Sequence, residues 1–534
     1  MAINSQPPAT PKDNPYLPPI PPPLVFEGFD GIDTATTRPG VADTKMWWCD
    51  GFMPLEARKL RTMYGLSSSV FTAAGGLTIV CYAFANIGST PLCIIFMSNG
   101  SIYQLNTSTL SSSLIAAAGT ITNPSQFNIG MSQYGNQYII IVAKQTNGYF
   151  VYDGTTFYSP GQVAPFGTIP TAIGGSSVET YSGRVWVFNG STFYYTAPGS
   201  VVDFSSVSGG GSVTSADSTL RVSYIRALQA NGFLYLVADS SLSYISGVQT
   251  SGSPPVTTFT NQNADPESGT PWPWSATTYG RNIVFANSFG AHISYGAAVT
   301  KVSEPLDGVY NTVPNFGTFV PSSAKATVFG RKLWLLLFQI IDPITGQQRN
   351  KLLCWDSKKW WVTEQDVQLT FIQTQEIDSV LTCWGTDGTH LYKCFQQASV
   401  GFSKVVQSKL WDTPGDYSLT KMATRLFGLV QYNSVLGSTL SIAIDNESSS
   451  AAAASNISPL TMTWLNNAGD EITWLNNSAQ VITWYRLGAN GIVVIPPTAI
   501  AQNGVLTGMT LSTVAADLVL ISFSLATDIV NYRG

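Results

Sequence analysis

The chain has 534 residues, 44% of them hydrophobic, 12% aromatic and only 11% charged, against about 25% charged in an average soluble protein. That much apolar material excludes a disordered chain and predicts a large buried core. A net charge of −5 and a pI near 5.1 exclude a global basic field that would hold nucleic acid.

The chain opens with MAINSQPPATPKDNPYLPPIPPPL, which carries nine prolines. Such a stretch favours extended polyproline II and cannot join a central strand. It reads either as a loose tail or as an arm lying along a partner subunit. It holds no apolar stretch of signal-peptide length, so synthesis and assembly in a cytoplasm are expected. No apolar run reaches the ~18 residues that span a bilayer, so no membrane-spanning segment is predicted. Cys49, Cys81, Cys93, Cys354, Cys383 and Cys394 are scattered without a CxxC pair. They predict buried reduced thiols rather than a disulfide framework or a zinc site. Residues 1–45 are read as this arm and the segment leading into the body.

Residues 46–404 read as one repeated unit. GRVWVFNGSTFYYTAPG, from Gly183 to Gly199, is a strand, a tight turn and a second strand. Similar hairpins open at Gly88, Gly135, Gly232, Gly280, Gly330 and Ser379, so the landmarks stand 47 to 50 residues apart. A period of about 48 falls in the range of propeller blades. Turns such as TNG, SNG and TDG need the positive φ that Gly and Asn tolerate. Each unit leaves room for two further short strands, and no 3.6-residue periodicity intervenes. One blade cannot cover both of its apolar faces, but radially stacked neighbours can. The fold class expected is therefore all-β, a β-propeller of six or seven blades. LWLLLFQII (Leu333 to Ile341) suits a buried strand of it.

The chemistry-bearing residues of this region are few. His292 and His390 sit in equivalent hairpins and read as structural. SGGGSV (Ser208 to Val213) lacks the lysine and helix of a phosphate loop and reads as a flexible loop. YDGTTFY (Tyr152 to Tyr158) and TDGTHLY (Thr386 to Tyr392) loosely resemble the Asp-box turns of sialidases, but an Asp-Gly turn between strands is ordinary hairpin chemistry. No catalytic residue, cofactor or metal site is predicted.

Residues 405–534 lose the period and read as a second all-β domain, sandwich-like, with SSSAAAASN (Ser448 to Asn456) as a low-complexity loop. Within it lies a second repeat at 461–486, TMTWLNNAGD, EITWLNNSAQ and VITWYRLGAN. Trp464, Trp474 and Trp484 stand ten residues apart. Each decad reads as a short strand and an Asn-rich turn, giving consecutive antiparallel strands. The tryptophans form either a small core or an exposed aromatic ladder at a protein or glycan contact.

One stretch is not blade-like: EGFDGIDTATTRPGVADTKMWWCDGFMPLEARKLRTMYG (Glu27 to Gly65). Its Thr37-Arg38-Pro39 turn, the pair Trp47 and Trp48, Pro54-Leu55, and Arg58, Arg61 and Gly65 resemble the opening of the tail nozzle proteins of short-tailed phages, also called tail tubular protein B. GRVWVFNGSTFYYTAPGSVVDFS is similar to a blade of that family, and SKLWD with TRLFG to the strand that follows its propeller. The tryptophan decads have no counterpart there. The resemblance implies a structural virion protein without enzymatic activity. It implies a homo-hexameric ring in the tail, docked under the portal and its head-to-tail adaptor, sealing the DNA channel and opening for ejection. DNA would pass without specific binding, and tail fibres or spikes are possible partners. Arg38, Trp47, Trp48, Arg58, Arg61, Trp464, Trp474 and Trp484 become the candidate docking residues. Two other readings stand beside it: a propeller-based receptor- or glycan-binding tail protein, and a hydrolase of surface polysaccharide with carboxylates and arginines at the ring centre.

Overall fold

The computed structural model describes residues 22–55, 58–215, 225–296, 298–310, 319–396, 402–412, 419–432, 439–457, 460–462, 464–466, 471–476, 481–482, 484–486 and 492–532. Among these there is no α-helix, only strands, turns and four short 3-10 turns. None of it offers a helix long and apolar enough to cross a membrane. The proline-rich opening up to residue 21 lies outside the described residues.

The chain divides into two compact units, residues 64–402 and residues 1–63 with 403–534. The first is a β-propeller. Five four-stranded antiparallel sheets lie within 79–116, 129–158, 177–214, 226–265 and 277–301, 371–393 supplies three strands of a sixth, and 322–363 makes the same four-strand meander. Numbered in chain order these are blades one to seven, 322–363 being blade six. Each innermost strand packs against that of the next blade, and the seventh against the first. Blade seven supplies only three strands from its own stretch. Its fourth is Phe71–Thr72, paired to His390 and Leu391, so the start of the unit closes the ring. Among the two blade numbers expected from the sequence, seven holds.

The repeat landmarks turn out to be the turns between the first and second strand of each blade. Ser182-Gly183, Asn231-Gly232, Phe329-Gly330 and Asp378-Ser379 have positive φ at both positions, which is the type I′ geometry that matches strand twist. Gly88, Gly135 and Gly280 also have positive φ. No atom lies within 4 Å of a Cβ built on Gly183, so backbone conformation rather than space selects glycine there. The blades are knitted by a recurring bond. Tyr134, Tyr181 and Tyr279 end innermost strands and donate their hydroxyls to carbonyls of the next blade, at Gly183 (3.1 Å), Gly232 (2.8 Å) and Lys332 (3.0 Å).

Second strands carry the core. Ile139–Val142, Val185–Phe188, Leu234–Val237 and Leu333–Phe338 are fully buried, because each sheet is covered on both faces by its neighbours. Arg184 is also buried. Its guanidinium donates to the Gly209 carbonyl (2.9 Å) and the Thr257 hydroxyl (2.8 Å), and to the Thr196 carbonyl and Thr250 hydroxyl. It thus ties blade three to the long hairpin Leu242–Ser251/Val256–Asp265 of blade four. The glycine-rich stretch expected to be a loop instead supplies the outer strand Gly211–Thr214, paired along Thr192–Tyr195. All six cysteines are buried thiols.

The second unit contains two antiparallel sheets. One has the order Phe52–Pro54, Leu60–Thr62, Leu518–Tyr532, Leu419–Tyr432, Ile492–Gly504, with Leu24–Phe26 also along Leu518–Tyr532. The other runs Trp48–Asp50, Lys404–Gln407, Gly508–Thr513, Leu440–Asp445, Ser450–Ile457. Two expectations are corrected here. The propeller begins at Tyr64, not at residue 46, because the strands of 48–62 find their hydrogen-bond partners in Lys404–Gln407 and Leu518–Tyr532. SSSAAAASN is no loop: Ser450–Ile457 pairs with Leu440–Asp445 through two register shifts, a partner strand overriding weak β-propensity.

Candidate functional site

The lead-in segment is anchored by its own arginines. Arg38 opens a 3-10 turn with Pro39. Its Nε donates to the Ser408 carbonyl at 2.9 Å, its guanidinium pairs with Asp445, and it lies 5.7 Å above the Trp47 ring. Asp445 also accepts from the Thr510 hydroxyl at 2.6 Å. Trp47 is half-buried and its N–H reaches the Gln407 carbonyl. Trp48 is fully buried, and Cys49 and Asp50 beside it in the strand Trp48–Asp50 are buried too. Arg61 pairs with Asp517 at 2.9 Å. Arg58, at φ +68°, leaves 69% of its side chain exposed, 3.5 Å from Glu27. Of the expected docking residues, Trp48 is therefore core and Arg38 and Arg61 are internal ties. Arg58 is presented to solvent.

The decads do not form the expected meander. Trp464–Leu465 pairs with Glu471–Ile472, Trp474–Leu475 with Val481–Ile482, and Trp484–Arg486 returns to Leu460–Met462. Trp464 stands opposite Ile472, Trp474 opposite Ile482, and Trp484 opposite Met462. Each tryptophan thus faces the residue two places before the next one, and the last closes on the first. Three two-stranded pairs result, with equivalent positions in each. Trp464 and Trp474 are 48% and 52% exposed, with Ile472 and Leu475 exposed beside them. They do not make a closed core. The Trp484 side chain lies outside the described ones.

The hub of the propeller holds a cluster that the sequence did not disclose. Glu179, on the innermost strand of blade three, accepts from Gln229 Nε2 of blade four at 3.0 Å. Burial pushes its carboxyl up to about 7, against the opposing pull of the Gln229 bond and the Arg226 charge. The Arg226 guanidinium lies 4.1 Å over the Trp274 ring, and burial lowers its pKa. Trp274 donates its indole N–H to the Gln126 carbonyl, from the segment before blade two. It meets Phe371 edge-on at 5.1 Å, and Phe371 meets Tyr82 at 5.3 Å. Side chains from around the ring thus meet across one end of the hub. The only clue in the sequence was a charge within two short apolar strands, SVETY and RALQA.

The aspartate turns are structural. Asp153 Oδ1 accepts the N–H groups of Thr155 (2.8 Å) and Thr156 (2.7 Å). Asp387 Oδ1 accepts those of Thr389 (2.8 Å) and His390 (2.7 Å). Asn106 and Asp356 repeat the motif in blades one and six, which marks it as turn chemistry. His390 Nδ1 lies 3.1 Å from Asp387 Oδ2. His292 stacks on Phe285 and bonds Asn287 at 3.1 Å. Among the described residues no three His, Cys, Asp or Glu side chains gather to hold a metal ion.

No protein-family model matches the sequence, and no curated protein matches it. Among solved structures, BBS1N in complex with ARL6DN is similar at 8% identity, over 64% of this chain and 98% of that one, with a TM-score of 0.38. The C-terminal WD40 domain of Sif2 is similar at 10% identity, over 63% and 90%, with a TM-score of 0.36. Streptogramin B lyase is similar at 10% identity, over 63% and 97%, with a TM-score of 0.33. What those proteins bind or do is not transferred by likenesses of this size.

Proposed function

We propose that this propeller protein is a structural component of a short-tailed phage virion, forming the distal nozzle of the tail. One observation carries the reading. The two stretches on which the resemblance outside the propeller rests, 27–65 and 408–428, are about 350 residues apart, yet strands and ties of both build one β unit. Arg38 bonds Ser408, and the strand containing TRLFG pairs with the strand that also takes Arg61.

In this role the chain forms a homo-hexameric ring under the portal and its adaptor. The conduit is the space between subunits, since each propeller's own hub is crossed by Trp274, Phe371 and Tyr82. A weakly charged wall lets DNA slide, because each phosphate contact would add a salt-dependent grip. No catalytic group is needed for closure, which a repeated heterologous interface supplies. The chain is assembled in the host cytoplasm and resides in the tail. Electron microscopy of particles carrying this protein is the test. Six-fold density on the tail axis, displaced when the protein carries a bulky label, is expected; particles with the label on the capsid or absent would refute the role.

A second reading has an observation of its own. The half-exposed Trp464 and Trp474 are rings of the kind that stack on sugars or fill a partner's pocket. A receptor- or glycan-binding tail protein would lose host-surface binding on Trp474→Ala, while the nozzle role leaves that binding unaffected.

A further inference from the structure

The sheet of the second unit carries an uncovered apolar stripe. On Leu419–Tyr432, Leu426 and Val430 are buried, while Phe427 and Leu429 are 38% and 36% exposed. Val494 lies opposite Leu429 on the next strand and is 64% exposed. On the other side Ser524 lies opposite Phe427, and Val25 opposite Ser524, 40% exposed. Exposed apolar side chains thus stand on three of four adjacent strands, with the small Ser524 on the fourth, over about 15 Å at ordinary strand spacing. At its centre Phe427, Gly428, Leu429, Val494, Ser522 and Ser524 line a groove of about 190 Å³. A Cβ on Gly428 would come within 2.7 Å of the Ile495 side chain and 2.8 Å of the Phe523 ring, so a larger residue there must displace one of them. No charged side chain lines the groove.

An occupant must be apolar, nearly uncharged, and able to lie on a sheet face without adding a strand. The first 21 residues have that chemistry. They hold seven prolines with Tyr16, Leu17 and Ile20, and only Lys12 and Asp13 are charged side chains. Proline lacks the N–H for edge pairing, and polyproline segments dock through side chains in apolar grooves. Direction then decides which copy is covered. Leu24 pairs with Leu525 and Phe26 with Phe523, so the chain before Leu24 heads towards residue 526 and away from Ser522 and Ser524. Pro21, Pro22 and Pro23 oppose an immediate reversal. Twenty-one residues of polyproline II span about 65 Å, enough to reach a neighbour.

We propose that residues 1–21 of one copy dock in the Phe427–Leu429–Val494 groove of a second copy. The inference rests on the ring reading for its setting but is tested apart from it. A labelled peptide of residues 1–21 is titrated by fluorescence anisotropy into the full chain, at concentrations where sedimentation shows a monomer. Saturable binding is expected, weakened at least tenfold by Val494→Asp and by Phe427→Ser, with circular dichroism and melting unchanged. No saturable binding, or equal binding to the variants, would overturn it. So would binding that appears only after the chain's own residues 1–21 are removed, since the groove would then be covered within one copy. A positive titration with off-axis microscopy would sink the nozzle role and leave this docking intact; the converse pair of results would do the opposite.

Discussion

Ser379 does in blade seven what glycine does in the other six. It holds φ +65° in an exposed turn, a conformation that costs a side-chain-bearing residue roughly 1 kcal/mol. Ser379→Gly is therefore expected to stabilise the protein by about 0.5–1 kcal/mol, and Gly183→Ala to destabilise it by a similar amount. Chemical denaturation of the two variants measures both. Glu179 gives a second residue-scale prediction. Its folded pKa of about 7 exceeds the ordinary carboxyl value, so the folded state binds a proton more tightly than the unfolded chain does. Stability should then be greatest at and below the ordinary carboxyl range, fall as pH rises to about 7, and level off above. Glu179→Gln should flatten that slope in melting curves taken from pH 4.5 to 8. A slope retained in the variant would place its origin elsewhere.

Within the blades, charge is used sparingly and inside. Lys351 of blade six is 1% exposed, with its ammonium 2.8 Å from Asp342 and 3.3 Å from Glu364, while Arg349 holds Glu364 at 2.7 Å. Burial alone would raise the Asp342 carboxyl, but the Lys351 ammonium holds it below its ordinary value. Removing the Lys351 ammonium takes the counter-charge from buried Asp342, while Glu364 keeps Arg349, so Lys351→Ala is expected to cost about 3–5 kcal/mol, read as a lowered denaturation midpoint. Arg184 behaves similarly between blades three and four. Arg184→Met keeps the aliphatic stem but removes the guanidinium bond to the Thr196 carbonyl and leaves the Gly209 carbonyl with the Thr257 hydroxyl alone. A loss of about 1–3 kcal/mol is expected, together with faster amide exchange in the hairpin 242–265.

At the scale of the whole molecule, each unit is closed by strands distant in sequence. Residues 64–402 contain their own closure, Phe71–Thr72 on blade seven. A fragment 64–402 is expected to melt cooperatively, whereas 79–402 leaves a sheet edge open and should aggregate or melt at least several degrees lower. The other unit is built from 1–63 and 403–534 together. Fragments 1–63 and 403–534 should be unstructured or insoluble apart and recover sheet signal by circular dichroism when co-expressed. Independent folding of 403–534 would show that the lead-in strands are dispensable.

What could be read from the chain alone was whatever its own neighbours enforce. The 48-residue period was legible because φ > 0 turns demand Gly, Asn or Ser at fixed places, and because second strands covered on both faces must be apolar throughout. What escaped was decided by partners outside the segment itself, from the neighbouring strand to stretches hundreds of residues away. Trp47 and Trp48 look alike in sequence, yet only strand pairing with Lys404–Gln407 sends one of them fully inside. The limit of the propeller at Tyr64, the strand hidden in SSSAAAASN, and the Glu179–Arg226–Trp274 cluster belong to the same class. Local backbone chemistry determines where this chain turns. Burial and long-range hydrogen bonding, which depend on what arrives from elsewhere, determine which of its aromatic and charged side chains are left for a partner.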